Sequence, residues 1–196
     1  MKYIIMADGK ERRWNNYLGI HKWQIQIKDQ TLLERTCRLL QALDPNALIY
    51  ITSHDPQLEI EGTIRHEPRN NVLEIDRFTA ELIEPDVCFL YGDVFYSDEA
   101  LKLIISQKTE TVLAFGSKKT IIAMKVADAQ LFKDHVDRVR TLYMNQQIGE
   151  CIGWEVYHSI QGLELESREI GADYILIQDE TRDFNSPQDL LEYSGE

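Results

Sequence analysis

KYIIMADGKERR, residues 2–13, decides how the chain is to be read. Residues 2–7 are an apolar run that stops at Asp8-Gly9. The next segment, 9–22, is polar and turn-rich and carries Lys10, Arg12, Arg13 and Lys22. A short continuous apolar run bounded by turn signals is a buried strand, so the chain opens with a strand that empties into a basic loop.

The pattern repeats outward from this stretch. Residues 24–27 (QIQI) alternate like a half-buried strand, and Leu32, Leu33, Thr36, Leu39, Leu40 and Leu43 have helical spacing. Thr31 with Glu34 forms a capping box ahead of that helix, and Asp44-Pro45-Asn46 ends it. Strands follow at 47–52 and 62–66, then a helix at 71–84. The very apolar strand 86–90 ends in Tyr91-Gly92-Asp93, and Ser97 caps a helix running to about residue 107. Strands at 110–115 and 119–126, helices at 127–145 and 149–160, and a strand at 174–177 complete the alternation. Ser186-Pro187 begins a closing helix. Repeated strand–helix alternation predicts an α/β fold with a mostly parallel mixed sheet and helices on both faces. No composition shift suggests a linker, so 1–196 reads as one domain.

Composition excludes several roles. The net charge of −12 repels phosphate backbones, and no stretch interleaves Lys/Arg with aromatic residues, which argues against a nucleic-acid partner. No apolar run has the length of a membrane span or signal-peptide core, and a cytoplasmic, membrane-free protein is expected. Cys37, Cys88 and Cys151 are odd in number and lack metal-ligand spacing, as in a reducing compartment. Any anionic ligand must be held by local cations or a metal ion against the long-range field.

Ligands of open parallel sheets bind at the carboxyl ends of the strands. Three such ends carry polar groups: Ala7-Asp8-Gly9 with Lys10, Arg12 and Arg13; Gly92-Asp93; and Asp179, Glu180 and Asp183 after the last strand. Backbone N–H groups around a glycine with nearby cations can hold phosphate oxygens. A rigidly offered Asp93 with a second acid can ligate a hard divalent cation. Taken singly, the plain readings are a solvated basic loop and ordinary turn aspartates.

Together these segments resemble the sugar-nucleotidyltransferase-like NTP-transferase family, in its capsule and cell-envelope branch. IIMADGKERRW is similar to the family's strand followed by L-A-x-G-x-G-x-R, and IHKWQIQIKDQTLLERT to its P-K-x-L…P-L-L-E-R segment. FLYGDVFYSDEAL resembles its strand-Gly-Asp metal site, and DETRDFNSPQDL its closing D-x-T-x-D-F-D-T-P-E-D. NNVLEIDRF belongs to the same likeness. The resemblance implies a Rossmann-like GT-A architecture. It implies an enzyme that joins a nucleoside monophosphate from an NTP to a small phosphorylated acceptor with release of pyrophosphate, loosely in polysaccharide biosynthesis. It places Ala7, Asp8 and Gly9 on the nucleotide through backbone groups, Arg13 on the triphosphate and Lys22 on the transferring phosphoryl group. It gives Asp93 and Asp183 the holding of Mg2+.

This chain departs from the pattern in four places. Glu11 stands at the second loop glycine, His21 at a usual proline, Asp29-Gln30 at Gly-Lys, and Asn185 at an acid of the closing motif. Glu11 either points to solvent beside Arg12 or alters triphosphate binding. Arg65, His66 and Arg69 are candidates for a base or acceptor pocket, against an ordinary exposed role; Arg138 and Arg140 read as solvent-exposed. Trp154, Tyr157 and His158 read as packing on the sheet, as an acceptor stack, or as the closure of a homo-oligomer interface, while Trp14 and Trp23 pack the loop. The rival functions are a GT-A glycosyltransferase, which usually carries D-x-D where this chain has Gly92-Asp93-Val94, and a nucleotide-binding module without turnover.

Overall fold

The computed structural model describes residues 1–194. In chain order the elements are β1 (Lys2–Met6), β2 (Gln26–Ile27), β3 (Gln30–Thr31), α1 (Leu32–Leu43), β4 (Leu48–Thr52), β5 (Ile64–His66), β6 (Val87–Tyr91) and β7 (Val94–Phe95). Then come α2 (Asp98–Ser106), β8 (Val112–Gly116), β9 (Ile121–Val126), α3 (Ala129–Met144), α4 (Gly153–Gln161), β10 (Tyr174–Leu176), β11 (Arg182–Asp183) and α5 (Pro187–Ser194).

Seven strands form the central sheet in the order β10-β8-β9-β6-β1-β4-β5. Neighbours pair in parallel except β9, which runs antiparallel to both β6 and β8. Alternation along β1 feeds two cores. Tyr3 and Ile5 pack with Leu33, Cys37 and Leu40 of α1 and Leu101 and Ile104 of α2. Ile4 and Met6 pack on the other face with Phe132, Val136 and Val139 of α3 and Val156 and Tyr157 of α4. A sheet buried on both faces needs this two-sided apolar content. Among the described residues no helix is long and apolar enough to cross a membrane.

The caps follow the chemistry of the sequence. The Glu34 N–H donates to Thr31 Oγ1, and the Thr31 N–H donates to Glu34 Oε2, so the capping box starts α1 as expected. Ser97 caps α2 in the same way through the Ala100 N–H.

Two expectations fail. The strand at 24–27 shrinks to β2, because Lys22–Gln24 close into a 3-10 turn instead. The helix at 71–84 is two short 3-10 turns, Glu74–Phe78 and Ala80–Leu82, broken where Thr79 takes a φ of +47°. Ahead of the first turn, Asp76 Oδ2 accepts from the N–H groups of both Val72 and Leu73, so this stretch closes on a side chain.

A third, small core lies at the carboxyl end of the sheet. Trp14, Ile25, Ile27 and Leu32 pack there with Phe95 and Phe184, and Leu190 and Tyr193 of α5 cover them. It fastens the loop after β1 to the last stretch of the chain.

Candidate functional site

β1 ends at Met6, and Gly92 N–H, just past β6, donates to the Met6 carbonyl at 3.1 Å. A Cβ at Gly92 would stand 3.0 Å from that carbonyl oxygen, so only glycine brings the two strand ends this close. Asp93 is thereby delivered beside the loop that follows β1. The Lys22 Nζ donates to Asp93 Oδ2 at 2.8 Å, with both side chains largely shielded from solvent.

The second acid arrives through an antiparallel pairing that periodicity does not reveal. β11 pairs with β7, setting Asp183 opposite Val94, and the Phe184 N–H donates to the Asp93 carbonyl at 2.9 Å. Burial, and then the charge of Asp93, push the Asp183 carboxyl above the ordinary carboxylate range. Two carboxylates from positions ninety residues apart are held together at an electrostatic cost. A divalent cation relieves such a cost, and magnesium takes one or two protein carboxylates, so the donor set fits that ion. Among the described residues no cluster of three or more His, Cys, Asp or Glu suits a metal.

Asn185, at the position where the resembling family has an acid, joins Arg13 to this pair. Its Oδ1 accepts from Arg13 Nη2 at 2.8 Å and its Nδ2 donates to Asp183 Oδ2. The two neighbours fix the amide's orientation, since a guanidinium can only donate and a carboxylate only accept. An acid here could not donate to Asp183 without carrying a proton.

Glu11 does not point to solvent. Its φ is +46°, a left-handed conformation that glycine adopts freely. Its Oε1 accepts the Lys22 N–H at 2.9 Å, and its Oε2 lies 3.2 Å from His21 Nδ1. The carboxylate therefore clamps residues 21 and 22 to the basic loop. Asp8 is used internally as well. Its carboxylate accepts from the His54 N–H and from Asn71 Nδ2 and meets His54 Nδ1, tying the loop after β1 to the loops that follow β4 and β5. Of the loop residues predicted to meet a ligand, Ala7 and Gly9 line a small recess with Lys22 and Asp93.

Two adjoining cavities open over these groups. The first, of about 420 Å3, runs between the loop after β1, residues 71–77 and residues 149–152. Lys10, Arg12, Arg13, Lys22 and Arg77 line it against Glu11, Glu74 and Glu150, a local cationic excess in a chain of net charge −12. The second, of about 380 Å3, holds Asp93, Asp183, Lys119, Trp154 and Arg168. Arg13, Arg77 and Asn185 line both, together with Glu74, Glu150 and Ile152, and form the seam between them. Cys151 borders the first cavity, and burial pushes its thiol up to about 11, so it is not a nucleophile at neutral pH.

Other sequence candidates lie elsewhere or play different parts. Arg65 donates to the Ser53 carbonyl and His66 pairs with Glu81; neither they nor Arg69 line these two cavities. Arg138 is exposed as expected, but Arg140 is not a free surface charge. Its Nη2 meets the buried Asp76 Oδ1 at 2.6 Å. Trp154, Tyr157 and Tyr174 pack as one aromatic group with His158, and Trp14 is fully buried under the loop. Arg77, Lys119 and Arg168 escaped the sequence reading. Arg77 lay inside a segment expected to be helical, where its side chain had no reason to face a cleft.

Comparison with solved structures finds the same architecture along nearly the whole chain. CTP:phosphocholine cytidylyltransferase from Streptococcus pneumoniae superposes with a TM-score of 0.58 at 12% identity, covering 99% of this chain and 97% of that one. UDP-glucose pyrophosphorylase from Acinetobacter baumanii gives 0.65 at 11% identity over 97% and 90%. 2-C-Methyl-D-erythritol 4-phosphate cytidylyltransferase from Thermus thermophilus gives 0.59 at 13% identity over 99% and 97%. The fold is the nucleotidyltransferase fold. Protein-family models and curated proteins give no match to the sequence. Within the nucleotidyltransferase fold, the cationic loop and the acidic pair occupy the carboxyl ends of β1 and β6 and the β7–β11 pairing.

Proposed function

We propose that the protein is a nucleotidyltransferase that transfers a nucleoside monophosphate from an NTP to a small phosphorylated acceptor, with release of pyrophosphate. The observation that carries this reading is the convergence of Lys22, Asp93 and Asp183 at the junction of two cavities, one of them rich in cations. The shared fold supports it, since the S. pneumoniae and T. thermophilus neighbours are named as cytidylyltransferases and their names include a phosphorylated small molecule.

In this reading the donor's phosphates lie in the first cavity, under the loop of Gly9 and Arg13, and the acceptor lies in the second. An oxygen of the acceptor phosphate attacks the α-phosphorus, the bond from that phosphorus to the bridging oxygen breaks, and pyrophosphate leaves with the bonding electrons. The acceptor oxygen is already anionic, so alignment and positive charge matter more than a general base. Asp93 and Asp183 would hold Mg2+, which when bound supplies charge to phosphate oxygens of both substrates. Lys22, immobilised by Asp93 and by the Glu11 clamp, directs its ammonium to the phosphoryl group.

The test is a melting experiment with each of CTP, UTP, ATP, GTP and dTTP, with and without magnesium, followed by a pyrophosphate-release screen of phosphorylated acceptors. One nucleotide at about a hundred times its Kd should stabilise the fold by roughly 2.7 kcal/mol, about 5–11 °C for a chain of this size. Asp93→Ala should abolish release while the circular dichroism spectrum stays unchanged. Full activity in that variant would remove the acidic pair from the reaction. Nucleotide binding without pyrophosphate release from any acceptor would instead favour a binding module.

A further inference from the structure

We infer that Arg77 is a phosphate-binding residue of this cleft, gripping the donor's phosphate chain at the seam where the α-phosphate meets the acceptor. The inference rests on the nucleotidyltransferase reading but concerns a residue that the loop motif does not supply. Arg77 comes from the 3-10 turn Glu74–Phe78, far from the basic loop in sequence.

Three observations point the same way. Arg77 lines the first cavity, the second cavity and the small recess that contains Gly9, Lys22 and Asp93. Its guanidinium lies against the loop backbone: a Cβ built on Gly9 would stand 3.2 Å from Arg77 Nη2 and 3.4 Å from Cζ. Gly9 is thus a glycine that makes room for a cation. Arg77 is also the less committed of the two cations that line both cavities. Lys22 is bound to Asp93 at 2.8 Å, Arg13 to Asn185 at 2.8 Å, and Lys10 to the Val72 carbonyl at 2.6 Å. The nearest carboxylate to Arg77 is Glu74 Oε1, 4.0 Å away, beyond hydrogen-bonding distance. A planar fork of five donors with no close acceptor matches phosphate oxygens.

Glu11 explains why such a cation is wanted. Where a second glycine would leave the loop's backbone open to phosphates, this chain has a carboxylate that takes the Lys22 N–H for itself. An arginine arriving from outside the loop restores the lost positive character at the same place. In the transfer, Arg77 stays protonated and donates to non-bridging oxygens while the acceptor oxygen bonds to the α-phosphorus and pyrophosphate departs; it exchanges no proton.

The test uses inorganic tripolyphosphate, a nucleoside-free mimic of the donor's phosphate chain, titrated calorimetrically into wild type, Arg77→Met, Arg77→Lys and Gly9→Ala. Arg77→Met keeps the aliphatic stem, so its melting temperature checks the fold. It should bind about tenfold to a hundredfold more weakly, and Arg77→Lys should recover part of the loss. Gly9→Ala, which pushes the guanidinium away, should show a similar loss that Arg77→Met does not deepen. In turnover, kcat should fall by roughly 100-fold or more, with a smaller change in the acceptor's KM.

Equal tripolyphosphate affinity in wild type and Arg77→Met, or no affinity in wild type, overturns the inference. Wild-type turnover that Arg77→Met leaves unchanged also overturns it and leaves the nucleotidyltransferase reading standing. Arg77-dependent tripolyphosphate binding without nucleotide binding upholds the anion site and removes the reading on which it was built.

Discussion

At the scale of single residues, the departures from the family pattern turn out to be load paths between neighbouring groups. Glu11 accepts a strained backbone and in return fixes Lys22, and Asn185 links a cation to a carboxylate as no acid could. Removing Glu11 should therefore loosen the segment that carries Lys22. In Glu11→Ala the loss of a charge-assisted hydrogen bond costs about 1.5 kcal/mol, so the Lys22 amide should exchange with deuterium roughly tenfold faster. Unchanged exchange at Lys22 would show that the clamp does not hold the lysine. The cations after β1 and the acids Asp93 and Asp183 were legible as candidates because they come after strands in the sequence, whereas Lys22 entered as a candidate through the likeness of its segment to the family's. Arg77 was not, because a side chain's direction at a 3-10 turn depends on capping by Asp76, which spacing alone does not encode.

At the scale of elements, the strands and capped helices of the sheet were readable from apolar runs and from Thr31 and Ser97. What failed was the region where side chains overrule periodicity. Leu73, Ile75, Phe78 and Leu82 have helical spacing, yet Thr79 breaks the run and Asp76 is spent on the turn. The pairing of β7 with β11 is two residues long and carries no pattern of its own. The same turn is tied to α3 by Arg140, whose partner Asp76 is almost completely buried. Arg140→Met strands that carboxylate and should cost about 3 kcal/mol, the lower end for breaking a buried pair because the arginine is partly exposed. The melting temperature should fall by roughly 6–12 °C. A shift under about 2 °C would mean that the two amide donors of Asp76 suffice without the arginine.

At the scale of the whole molecule, stability is coupled to pH through groups of opposite sign. Burial alone would raise Asp44, Glu81 and Asp179, but hydrogen bonds outweigh it and hold all three below the ordinary range. The donors are the N-terminus and Tyr3 for Asp44, the Arg69 N–H and His66 for Glu81, and Ser97 and Thr181 for Asp179. Their stabilisation is complete above the unfolded values and is lost as pH falls through the folded ones. Glu155 runs the other way. It is fully buried, its Oε1 accepts no hydrogen bond, and burial raises it above 4.5. Its contribution is present below the unfolded value and is lost as pH rises through the folded value. The stability of Glu155→Gln relative to wild type should therefore grow between about pH 4 and pH 7 in urea titrations. A difference that stays flat across that range would show that the carboxyl is not titrating there.

The late arrival of Asp183 has a consequence for the making of the protein. A ribosome reading this message has produced every strand of the seven-stranded sheet by residue 176, while the partner of Asp93 is still seven codons away. The scaffold and the chemistry are thus separated in time. A chain halted between those two points has the strands of the sheet but lacks Asp183, the β7–β11 pairing and the Phe184 side of the third core, and by the reading proposed above it is silent.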